Sequence, residues 1–80
     1  MKILAIYDNG GISFDRYSVF LDNKETKNLY QVLAMSENPL SPLGFCQHCS
    51  GMIGKHNGKL ITKKDLPEQC KKVLANYNYK

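Results

Sequence analysis

The chain predicts an α+β domain: a small antiparallel sheet of three to four strands with one C-terminal amphipathic helix packed on one face. Three observations carry this. Short β-favouring runs at 2–7, 16–21 and 59–62 are separated by turn residues, as in hairpins. Asp8-Asn9-Gly10-Gly11 is strong turn punctuation, because Asn-Gly tolerates the positive φ angles of a tight hairpin turn. Leu66, Cys70, Val73, Leu74 and Tyr77 then recur at helical spacing, with Lys71 and Lys72 outside the stripe. Such a helix must bury its apolar face, and the sheet is the only partner available. Eighty residues make one domain, spanning 1–80.

Residues 2–7 form the first strand and 16–21 the second, with Tyr17, Val19 and Leu21 on one face and Ser18 and Phe20 on the other. If Asn9-Gly10 is the whole turn, Tyr7 faces Ile12 and Ala5 faces Phe14; a longer loop changes that register. Asp22-Asn23-Lys24-Glu25 marks a second turn. Residues 28–35 fit a short helix or a strand, and the strand is the reading adopted. Residues 36–51 hold Pro39, Pro42 and Gly44 with no periodicity, and read as one long loop of the kind that often carries function. Residues 59–62 form a fourth strand. The helix opens at Asp65 as N-cap, with Pro67 in its first turn and Glu68 three residues after the cap. One helix covers one face, so Phe14, Phe20 or Tyr30 is expected to stand exposed on the other.

Composition narrows the function classes. Apolar content of 42% fits a globular protein. No apolar run nears the ~20 residues of a membrane span. The opening Met-Lys-Ile-Leu-Ala-Ile-Tyr-Asp reads as a strand, too short for a signal peptide, and implies a cytoplasmic location. Cys46, Cys49 and Cys70 are an odd number of thiols, which argues for reduced cysteines or metal ligands over a disulfide framework. Residues 1–40 carry a net charge of −1 and residues 41–80 carry +5. A basic half suggests an anionic partner, and equally suits a merely soluble, lysine-rich surface.

The segment 44–59, GFCQHCSGMIGKHNGK, concentrates the reactive chemistry. Cys46 and Cys49 have the C-x2-C spacing of a zinc knuckle, with His48 and His56 as candidate further ligands; Cys70, on the helix stripe, reads as core. No second ligand pair completes the motif. Gly51, Gly54 and Gly58 with Lys55, His56 and Lys59 suggest an anion-holding loop, though the spacing is not that of a nucleotide P-loop. A plain Asn57-Gly58 turn explains the same residues without a ligand. A cysteine–histidine nucleophile pair is the catalytic alternative, and no spacing selects one.

The stretches YDNGGISFDRY, SENPLSPLGFCQH and GKHNGKLITKKDLPEQC, in this order, resemble a family of short, largely uncharacterised proteins of bacteria and their phages, over roughly residues 5–72. The matching polar positions are Asp8, Asn9, Asp15, Arg16, Tyr17, Ser36, Asn38, Gln47 and His48. In that family Gln47-His48 lacks flanking cysteines, so Cys46 and Cys49 are a local departure that weakens the zinc reading. A phage setting implies interference with host defence by gripping a nucleotide signal, a nucleic acid or a host protein.

These readings converge on one expected pocket where the first hairpin, the 36–51 loop and the 54–59 loop meet. Arg16, Lys55, His56 and Lys59 supply charge, Tyr17 and Phe45 stack, and Asn38, Gln47 and His48 give directional hydrogen bonds. The expected ligand is anionic: a nucleotide, nucleic acid or acidic protein surface. The alternatives are a protein-interaction or homodimerising module, and a small zinc-bound domain or enzyme built on Cys46, His48, Cys49 and His56.

Overall fold

A computed structural model describes all 80 residues. Five antiparallel strands form one sheet: β1 (Ile3–Asp8), β2 (Tyr17–Thr26), β3 (Leu29–Met35), β4 (Cys46–Gly51) and β5 (Lys59–Ile61), in the order β4-β3-β2-β1-β5. One helix, α1 (Glu68–Asn76), follows. The α+β class and the C-terminal helix are as the sequence predicts. The strand count is higher by one, because Cys46–Gly51, expected as loop, pairs in register along β3 from Met35↔Cys46 to Tyr30↔Gly51.

Side-chain alternation along the strands divides the sheet into two buried faces. On the first, Ile6, Tyr17, Val19, Leu21, Leu33 and Met35 pack against Leu66, Cys70, Val73 and Leu74. Each large side chain fully buried here contributes about 1.5–3 kcal/mol. The Cys70 thiol donates to the Ser36 carbonyl at 3.4 Å, which satisfies its one polar group within the core.

The second face holds Tyr7, Phe20 and Val32, all buried. Tyr7 and Phe20 meet edge to face, centroids 5.6 Å apart. The expected exposure of Phe20 is therefore corrected: it is 1% accessible, Tyr30 is partly buried beside it, and Phe14 is exposed in the loop between β1 and β2, not on the sheet face. The cover comes from chain topology. β4 and β5 occupy opposite edges, so residues 52–58 must cross the whole sheet. At one end of this strap Gly51 lies against the Phe20 ring and Val32; at the other Gly58 packs on the backbone of Asp8 and Asn9 so closely that a Cβ would collide. The Asn57 side-chain amide donates to the carbonyls of Met52 and Gly54 and folds the strap into a compact turn.

Both helix ends differ from expectation in an instructive way. Asp65 is not the N-cap of α1. Its carboxylate accepts from the Thr62 N–H at 2.9 Å and the Thr62 hydroxyl at 2.8 Å, closing a 3₁₀ turn at Lys63–Asp65, and α1 begins after Pro67. At the other end Tyr77 falls outside the buried stripe. The helix stops in a Schellman turn: Asn78 takes φ 63°, its N–H donates to Ala75, and the Tyr79 N–H donates to Leu74. That reversal buries Tyr79 beside Leu74, and the next N–H, of Lys80, donates to the Met1 carbonyl at 3.0 Å.

Phe20→Ala tests whether the second face is a core. The expected cost is about 3–5 kcal/mol in urea denaturation, as for a fully buried aromatic; a cost under about 1 kcal/mol contradicts it.

Candidate functional site: a groove between two loops

The β1–β2 connection is an eight-residue loop, 9–16, not a two-residue turn, and the strands below it pair Tyr7↔Ser18 and Asp8↔Tyr17. The expected facing of Tyr7 with Ile12 is thereby replaced. The loop's polar side chains are spent on holding its shape. Asp8 and Asn9 each accept a backbone N–H two residues on, from Gly10 and Gly11, both at positive φ. Asn9 also donates to Ser13, and Ser13 to Asp15. With these groups turned inward, Ile12 and Phe14 project outward, 91% and 66% exposed.

Facing it is the loop between β3 and β4. Ser36 anchors it at both ends: its N–H donates to the Phe45 carbonyl and its hydroxyl accepts the Phe45 N–H, each at 2.9 Å. Pro39 is buried, and the Leu40 N–H donates to the Gln69 side chain. Gly44 runs against the Asn38 carbonyl so tightly that only glycine fits. Leu43 projects outward, 86% exposed. Between the two loops lies a groove of about 560 Å³, with Gly11–Phe14 and Arg16 on one wall and Ser36–Asn38, Ser41, Leu43 and Gly44 on the other.

At its base Arg16 joins the two loops. Its guanidinium is bidentate to Asp8 (Nε–Oδ1 2.7 Å, Nη2–Oδ2 3.1 Å), and its third arm reaches Glu37 at 2.9 Å. It also lies over the Tyr17 ring, 5.4 Å from the centroid. The hydrogen bond from Arg16 holds the Asp8 carboxyl below its usual range, against a smaller opposing effect of burial. The same bond raises Arg16. The expected anion-binding fork is thus already filled by the protein's own carboxylates.

The nine residues expected to converge are dispersed. Arg16 and Asn38 line the groove. Tyr17 is buried in the core and cannot stack on a ligand; Phe45 is half-buried behind the loop. Gln47 and His48 are neighbours on β4, so they point to opposite faces. The His48 Nε2 lies 2.8 Å from the Tyr79 hydroxyl, with the Tyr77 ring edge-on at 5.1 Å. Lys55, His56 and Lys59 belong to the strap and to β5, and Lys59 pairs with Asp8. The apolar rim formed by Ile12, Phe14 and Leu43, and the counter-charge Glu37, went unread; the cue was two large apolar side chains inside a stretch rich in glycine, serine and aspartate.

The zinc set is separated by the same alternation. Three positions apart on a strand, Cys46 and Cys49 face opposite sides of the sheet, and His56 lies on the strap. No three His, Cys, Asp or Glu side chains are grouped to hold a metal ion. Burial raises the thiols of Cys46 and Cys49, the reverse of an activated nucleophile, and pushes Cys70 up to about 11. No helix is long and apolar enough to cross a membrane. No family model, curated protein or solved structure matches the chain.

The Asp8–Arg16 pair makes a pH prediction. A carboxyl lowered in the folded state stabilises fully above its unfolded value of about 3.9, and the contribution is lost as pH falls through the lower folded value. Asp8→Asn should therefore be less stable than the parent at pH 6, and the difference should shrink as pH falls below the unfolded value of about 3.9. Urea midpoints across pH 2–6 measure this; a constant difference contradicts it.

Proposed function

We propose that the protein is a small cytoplasmic binding module that docks a partner protein through the groove between loops 9–16 and 36–45. The single observation carrying this reading is the cluster of Ile12, Phe14 and Leu43, each more than half exposed, on two loops that are internally hydrogen-bonded and joined at Arg16. Large apolar side chains left in water add nothing to folding stability, and several of them lining one groove mark an interaction surface. A pre-shaped rim lowers the ordering cost of binding. The ion-paired base gives a polar floor with donors and acceptors at fixed places, so the groove favours an apolar side chain at its rim and a hydrogen-bonding group beneath.

The triple variant Ile12→Ser, Phe14→Ser, Leu43→Ser should keep the parent's urea midpoint and lose at least about tenfold in affinity for any partner captured by the parent. Partner binding at parental affinity by that variant contradicts the reading.

A second reading, recognition of a polyanion, is favoured by a separate observation. Lys55, Lys59, Lys63 and Lys64 lie within ten residues along the β5 edge, and none is in an ion pair. The anionic ligand expected from the sequence would then meet these lysines and not the Arg16 guanidinium, whose arms are already paired with Asp8 and Glu37. Binding of single- or double-stranded nucleic acid should weaken steeply with salt, and replacing all four lysines by alanine should reduce that slope by roughly three. A slope unchanged in the variant removes the reading.

A further inference from the structure

We propose that β4 is a strand-addition edge whose occupant is β4 of a second copy of this chain, the two strands running antiparallel about a two-fold axis at His48. The two edges of the sheet are built differently. β5 has three residues, includes Lys59, and is bracketed by Lys55, Lys63 and Lys64. Short length and lysine are the devices that keep an edge from pairing. β4 has six residues, CQHCSG, with no charge and no proline, and is exposed along most of its length.

The ladder tells which backbone groups of β4 are free. Ser36 donates to the Phe45 carbonyl, so this pair turns its backbone groups toward each other. In an antiparallel ladder that orientation alternates. Counting on through the register, Gln47, Cys49 and Gly51 face β3, while Cys46, His48 and Ser50 turn their N–H and C=O groups outward. β3 is the only ladder neighbour of β4, and no turn, loop or side-chain bond reaches those outward groups.

The edge is complementary to itself. An axis through His48 and normal to the sheet sets Cys46 opposite the second copy's Ser50, His48 opposite its own copy, and Ser50 opposite the second copy's Cys46. Every outward residue on both strands is then hydrogen-bonded; centring the axis on Gln47 or Cys49 leaves one per strand unpaired. Charge points the same way. Each chain carries +4 and its other edge is lysine-rich, so like-charge repulsion between copies is least at β4, which has no charged residue of its own and lies beside the Glu25 carboxylate that accepts from the Ser50 hydroxyl at 2.6 Å. On the α1 side the pairing brings two histidines together beside Tyr77, which is 47% exposed, and so extends the His48–Tyr77–Tyr79 cluster across the axis.

Sedimentation velocity and native mass spectrometry of the full chain test this, together with two variants. The parent should show a dimer whose population rises with protein concentration. Ser50→Pro removes an outward N–H that β3 does not use, so the monomer should keep its fold by circular dichroism while the dimer dissociation constant rises at least about tenfold. Gln47 lies in a non-hydrogen-bonded pair with the second copy's Cys49, a separation that suits a disulfide. In a Cys46→Ser background, Gln47→Cys should therefore give a disulfide-linked dimer on mild oxidation, and adding Cys49→Ser should abolish it. A monomer at every concentration, a dimer untouched by Ser50→Pro, or an edge that pairs only with a different protein's strand overturns the proposal. The triple-serine groove variant should dimerise like the parent, which separates failure here from failure of the groove reading.

Discussion

A nine-residue helix can cover only one face of a five-stranded sheet, and most of this molecule is shaped by how the second face is buried. Tyr7, Phe20 and Val32 on that face are as dry as the main core. Their cover is a strap holding one 3₁₀ turn at Lys55–Asn57, whose backbone bonds and the Asn57 side chain satisfy its polar groups from within. The strap closes on β1 only because Gly58 stands there, where a Cβ would strike the Asp8 carbonyl; at its other end Gly51 lets the chain lie close against Val32 and Phe20. The same crossing forces β4 and β5 to opposite borders and leaves both as edges. One of these is shielded by lysine and the other is bare.

Charge is distributed by a similar division. The single arginine is spent inside the molecule, joining two loops through Asp8 and Glu37. The pair with Asp8 is bidentate and partly screened from water, which makes it stronger than an ordinary surface contact. With that cation neutralised, the groove it floors is defined by shape and by apolar rim residues. Four lysines without an ion pair, Lys55, Lys59, Lys63 and Lys64, lie instead on the strap, on β5 and in the turn that follows it. Two surfaces of different chemistry result, where the sequence predicts a single anion-binding site.

The strands and the helix were readable because each carries a periodic apolar signal: Tyr17, Val19 and Leu21 at spacing two, and Leu66, Cys70, Val73 and Leu74 at helical spacing. β4 was not, since Cys46–Gly51 has no hydrophobic alternation. It is an edge strand held by one neighbour, and its sequence looks like the loop that precedes it. The register of β4 accounts for most of the difference between the expected and observed site geometry. Once 46–51 is a strand, Gln47 and His48 diverge, Cys46 and Cys49 diverge, and the metal and anion pockets come apart together. Helix ends were misread for a different reason. Asp65 looks like an N-cap from its spacing to Pro67 and Glu68, but Thr62, three residues earlier, captures its carboxylate. Arg16 reads from the sequence as a planar fork open to a ligand; the fork is instead filled by Asp8 and by Glu37, which lies 21 positions away and which nothing local in the sequence pairs with it.

The bond between Lys80 and Met1 has a consequence for the molecule's polarity. It lies at the end of the sheet where β1 begins, near the Ile3↔Leu21 pair, whereas the groove sits at the other end, beyond Asp8↔Tyr17. Six strand residues, about 20 Å, separate the two poles. Residues 1 and 80 emerge side by side from the pole away from loops 9–16 and 36–45, so a tether attached to either one hangs clear of the groove. The ring of chain is almost closed there, and a linker of a few residues would suffice to seal it.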